Sequence, residues 1–152
     1  MMNLDIHKIF EDARKDPSLF RTLNIEELLN SSETGGYLEN KSLKDISKDI
    51  YDIVQTLNVV YKEKKEICKK LANYRFVDEI YKLNRGKYIR WINPDNRLTN
   101  GGFLVDIKFL DQGMLIFCKN QKNQFFQYKF DDCITFQKLS EEEILIIMHL
   151  HP

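Results

Sequence analysis

The densest chemistry in this 152-residue chain is a short run, Arg85-Gly-Lys87-Tyr88-Ile-Arg90-Trp91. Cations alternate with rings at strand spacing. Flat rings stack on nucleobases while Lys and Arg neutralise phosphates, and the same cations can face an acidic protein. Lys119, Lys122 and Lys129, with Phe125 and Tyr128, supply a second such group downstream. Arg85, Lys87, Arg90, Lys119, Lys122 and Lys129 are therefore the candidate partner-binding residues. The structural alternative is that Tyr88 and Trp91 simply fill a core.

Other groupings point to less. His149-x-His151 lacks the four-residue spacing of a helical zinc motif, and no paired CxxC elements occur. Gly35-Gly36 and Gly101-Gly102 are adjacent, without the spacing or the lysine of a phosphate-binding loop. Asp95 and Asp131-Asp132 stand where turns want them. No catalytic residue, metal site, cofactor or small-molecule substrate is expected. Cys68, Cys118 and Cys133 are odd in number and read as free thiols, mostly buried, in a reducing compartment. The first fifteen residues are charged throughout and lack the apolar stretch of a secretory signal, and no apolar run is long enough to span a membrane.

Charge is balanced at 23 basic and 23 acidic residues, but unevenly placed. Residues 62–129 hold 15 Lys/Arg against 7 Asp/Glu, a balance of +8, and each flank carries −4. A basic middle between acidic ends implies an anionic partner, or ends that fold back on the middle.

These residues need elements to position them. Residues 3–15 read as an amphipathic helix, Asp16-Pro17 as the start of a helical turn, and Asn24-Ile-Glu-Glu27 as a capping box. The Ser/Gly-rich stretch 31–41 reads as a linker. From Ser42 to Asn84 there is neither Pro nor Gly, so one helix of roughly 60 Å at 1.5 Å per residue fits. Leu43, Ile46, Ile50, Ile53, Leu57, Val60, Ile67 and Leu71 repeat in heptads along it and form a candidate assembly seam. Val54, Tyr61 and Cys68 widen the stripe. A wide stripe also suits a hairpin broken near 62–65, or packing within the chain. Self-association and intramolecular packing stay equally open.

After Gly86 the period changes to two. Strands are expected at 87–93, 103–110, 114–119, 125–130 and 133–138, cut by Asp111-Gln-Gly113 and Asn120–Gln124. Phe103, Val105, Ile107 and Phe109 should share one core face, as should Phe126, Tyr128 and Phe130. Ser140-Glu-Glu-Glu143 caps a final helix whose Ile144–Met148 is apolar all round. The expected fold is α+β: N-terminal helices (1–41), a long coiled-coil-like helix or hairpin (42–84), then a small five-stranded antiparallel Tudor-like barrel with a short C-terminal helix (85–152).

Gly86–Ile92, Leu98-Thr-Asn-Gly-Gly102, Phe117-Cys-Lys-Asn120, Phe125–Phe130 and Ile134–Leu139 together resemble a small protein family of the large DNA viruses of protists and algae. The resemblance covers residues 80–147. It implies a viral setting, in the virion or host cytoplasm, and supplies no catalytic residues. The expected function is that of a non-enzymatic structural protein. It would be a minor capsid or other virion component that assembles through its helix, as a homo-oligomer or by docking, and contacts virion or host proteins through its barrel. The alternative is a nucleic-acid-binding factor in viral replication or transcription.

Overall fold

A computed structural model describes residues 41–151, which form an α+β fold of three helices and one six-stranded antiparallel sheet. The helices, caps and linker expected before Lys41 lie outside the described residues. By compactness the chain divides into two units, residues 1–46 with 139–152, and residues 47–138.

Helix α1 spans Leu43–Gln55 and α2 spans Tyr61–Lys70. In place of the one helix or hairpin expected over 42–84, there are two helices followed by a strand, and residues 62–65 lie inside α2 rather than at a break. The cause is Thr56-Leu-Asn-Val-Val60, whose β-branched residues and Asn are weak helix formers. The Thr56 hydroxyl donates back to the Ile53 carbonyl (2.6 Å), and the Lys64 ammonium to the Gln55 carbonyl (3.1 Å). Carbonyls at the end of α1 thus find side-chain partners. At the other end, Ser42 and Asp45 exchange backbone-to-side-chain hydrogen bonds of 3.1 and 3.2 Å, which hold the Asp45 carboxyl below its usual range. Helix α2 gives way to strand β1, Tyr74–Val77, because Tyr74-Arg-Phe-Val alternates and can pair with the last strand.

The heptad residues build the chain's own core. Ile50, Val54, Leu57, Ile67 and Leu71 pack with Tyr74, Ile92 and Phe136, and Ile53 joins from the edge. Ile46 is buried, Leu43 half-buried, and Val60, in the break, is 64% exposed. Of the two roles left open for the seam, packing within the chain accounts for most of it, since these residues face the sheet of the same chain.

Strands β2 (Tyr88–Ile92), β3 (Gly102–Leu110), β4 (Gly113–Lys119), β5 (Phe125–Lys129) and β6 (Ile134–Lys138) follow, with single 3-10 turns at Ile80–Lys82 and Phe130–Asp132. Their order is β1-β6-β2-β3-β4-β5, antiparallel throughout. The expected five-stranded barrel differs from the observed sheet on two counts. Strand β1 makes the sheet six-stranded, and among the described residues β1 and β5 end the sheet unpaired with each other.

The face opposite α1 and α2 carries a second core of Val77, Leu83, Ile89, Trp91, Leu104, Ile116, Cys118, Tyr128 and Phe130. Trp91 stacks on Tyr128 with centroids 4.2 Å apart, and the Tyr128 hydroxyl shares a 2.8 Å hydrogen bond with Thr135. The common face expected for Phe103, Val105, Ile107 and Phe109 does not form. A bulge between Leu104 and Asp106 adds a residue and inverts the alternation. Leu104 enters the second core, Phe103 takes the other face, and Phe109, near the hairpin end, is 71% exposed. Phe126 likewise stays exposed, while Tyr128 and Phe130 are buried. At the turn into β3, Gly101 has φ +77°, and a Cβ there would sit on the Ile89 carbonyl, so only glycine admits this approach.

Helix α3 spans Glu141–Leu150 and opens on a reciprocal capping box. Ser140 accepts from the Glu143 amide, and Glu143 accepts from the Ser140 amide, both at 3.1 Å. Ile144–Ile147 are buried within the single chain.

Candidate functional site

The apolar cluster under α1 and α2 draws on β1, β2 and β6 but on no residue of β3, β4 or β5. Among the described residues, no apolar cluster covers the same face of those three strands, the bare face of the sheet. Directly paired residues share a face, so the register sets three rows across it. The first is Phe103, Lys119, Phe125; the second Asp106, Phe117, Gln127; the third Lys108, Leu115, Lys129.

Rings and cations are interleaved in this array. The Lys119 ammonium lies 6.0 Å from the Phe125 ring centroid, and the Lys108 ammonium 5.0 Å from that of Phe117. Phe103 meets Tyr88 edge-on at 5.1 Å. Phe103 is 41% and Phe125 67% exposed, so neither ring is core. Arg85 pairs with Asp106 at 2.8 Å; both are solvated, so the pair adds little stability, but it neutralises the carboxylate of the array. An open cleft of about 570 Å³ lies between residues 99–101 and the β4–β5 turn, with Tyr88, Trp91, Lys122 and Phe126 on its walls.

The six candidate cations do not form one site. Lys119 and Lys129 stand in the rows. Lys122 is on the neighbouring turn, and Arg85 reaches the array through Asp106. Lys87 lies just before β2, where its carbonyl accepts the Leu104 amide (2.8 Å). Arg90 is structural: its Nε donates to the Thr99 carbonyl (2.8 Å) and fixes the loop ahead of Gly101. Lys108, Phe103 and Phe117 are the members that sequence reasoning missed. The alternation in Leu115-Ile-Phe117-Cys-Lys119 carried a signal for Phe117, but the bulge hid the other two.

Burial pushes the Cys118 thiol up to about 11, and Cys68 and Cys133 are raised for the same reason, so these thiols are not activated. Among the described residues no three His, Cys, Asp or Glu side chains converge as metal donors. Among the same residues no helix is long and apolar enough to cross a membrane. The array is suited to hold an anionic, partly apolar surface. No family model, curated protein or solved structure matches this chain.

Proposed function

We propose that this chain is a non-enzymatic interaction protein, a minor component of a large DNA virus particle, which holds an acidic partner protein on the bare half of its sheet. The observation that carries the reading is the array of exposed rings set among Lys108, Lys119 and Lys129 where the helices leave the sheet uncovered. The viral setting, in the virion or host cytoplasm, rests on the resemblance of residues 80–147 alone. A half-open Tudor-like barrel is the finer reading of the fold. Its support is the order β6-β2-β3-β4-β5, the 3-10 turn before β6, and the cluster around Trp91.

Nucleic acid is the second reading, favoured by the interleaving of rings and cations. A protein partner is preferred because Asp106 occupies the middle row and Arg90 is engaged internally. The test pairs Phe103→Ser with Lys108→Glu, both at exposed positions. Mass spectrometry of purified particles against infected-cell extract should find the wild type in both and the double variant in extract alone. Undiminished incorporation of the variant would overturn the surface, and absence of the wild type from particles would overturn the virion setting.

A further inference from the structure

We propose that β5 accepts an extended, acidic segment of the partner protein as a seventh strand, an inference that rests on the reading of the β3–β5 face as the docking surface. Strand β5 ends the strand order, so one of its edges meets no strand among the described residues. The two ends of the sheet differ in burial: Tyr74, Arg75 and Val77 of β1 are buried, whereas every β5 residue except Tyr128 is exposed.

The ladder shows which backbone groups this edge offers. At the hairpin turn the Asn120 amide donates to the Gln124 carbonyl (3.0 Å). Bonded and non-bonded pairs alternate in an antiparallel ladder, so Cys118–Phe126 and Ile116–Tyr128 are the bonded pairs in this register. The amides and carbonyls of Phe125, Gln127 and Lys129 therefore face the open side. Those three residues also end the three rows of the bare face. An added strand would prolong each row and bind by backbone and side chain together.

Charge selects the occupant. The edge has neither proline nor bulge; Lys122 precedes it, Lys129 ends it, Lys119 stands one strand in, and Asp131 and Asp132 follow in the next turn. Lys129 is the one charge within the strand itself, so a carboxylate set opposite it gains a favourable cross-strand pair. A segment alternating carboxylate and aliphatic side chains satisfies both faces, with acid opposite Lys129 and aliphatic groups beside Phe126.

The probe is a fluorescein-labelled (Glu-Val)5 peptide, titrated with the full-length protein by anisotropy. Gln127→Pro removes an outward amide without costing a bond to β4, the position at which an edge strand tolerates proline. It should weaken binding about tenfold, the worth of one or two hydrogen bonds, with thermal unfolding unchanged. Lys119→Glu with Lys129→Glu should move the preference to (Lys-Val)5. The idea is overturned if wild type binds neither peptide or binds both equally, or if folded Gln127→Pro binds like wild type. Should that variant not fold, N-methylating alternate residues of the probe interrogates the same bonds. One methylation series should lose binding, and equal binding by both would overturn the proposal. A wild-type dimer that Gln127→Pro dissociates would make the occupant a second copy instead. If particle incorporation needs Phe103 and Lys108 but is indifferent to Gln127→Pro, strand addition fails while the docking face stands.

Discussion

Trp91 and Phe125 are both strand aromatics, and neighbours decide their opposite roles. Trp91 is 8% exposed because Tyr128 lies flat against it, whereas Phe125 sits on the last strand, with no strand beyond it among the described residues. Trp91→Ala should cost about 3–5 kcal/mol. Emission of the folded wild type should be blue-shifted and move red on unfolding; a solvent-like maximum before unfolding would contradict the assignment. The same core carries a pH signature. Burial raises Cys118 from an ordinary 9.0 to about 11 and also raises Tyr128 above its ordinary 10.0. Their neutral forms are favoured in the folded state, so the associated stability is complete below pH 9 and declines as pH rises through 9 to 11. Thermal unfolding across that range should show a falling midpoint, and a flat profile would contradict it.

At the scale of elements, helices α1 and α2 serve the sheet they cover. Leu57 lies in the break between them yet is buried with Val54 and Leu71. Leu57→Ala should therefore lower stability by about 2–5 kcal/mol and leave the mass of the folded protein unchanged in light scattering. A fall in mass at constant helicity would place the seam against another copy. The β3 bulge matters more for the surface than for stability. By inverting the alternation it puts Leu104 inside and hands Phe103 to the bare face.

Across the whole molecule, a net charge of zero conceals a middle segment at +8. That balance already counts Asp106, which pairs with Arg85, and Asp78, which pairs with Lys82, so the row lysines stand among the excess. Replacing Lys108, Lys119 and Lys129 with Gln should leave binding to a single-stranded oligonucleotide no different from wild type at physiological salt. A wild-type dissociation constant under about 1 μM, with a steep salt slope that the triple variant flattens, would make nucleic acid the partner instead.

The chain by itself determined what a few neighbouring residues can settle. Ser140 and Glu143 close their box within one turn. Asn120 ties its own hairpin by accepting the Lys122 and Gln124 amides (both 2.9 Å), and Asn100-Gly-Gly marks the approach of β3 to β2. The apolar stripe along α1 and α2 required a cover but did not name it, because periodicity records that a face is buried and not against what. Tyr74, three residues past Leu71, continues the heptad spacing as well as it fits a strand; pairing with Lys138, far along the chain, decided for the strand. The bulge after Leu104 depends on its partners in β4, and the bare half of the sheet on how far two short helices reach. These are long-range matters, so the surface that carries the proposed function emerged only once the strands had their order.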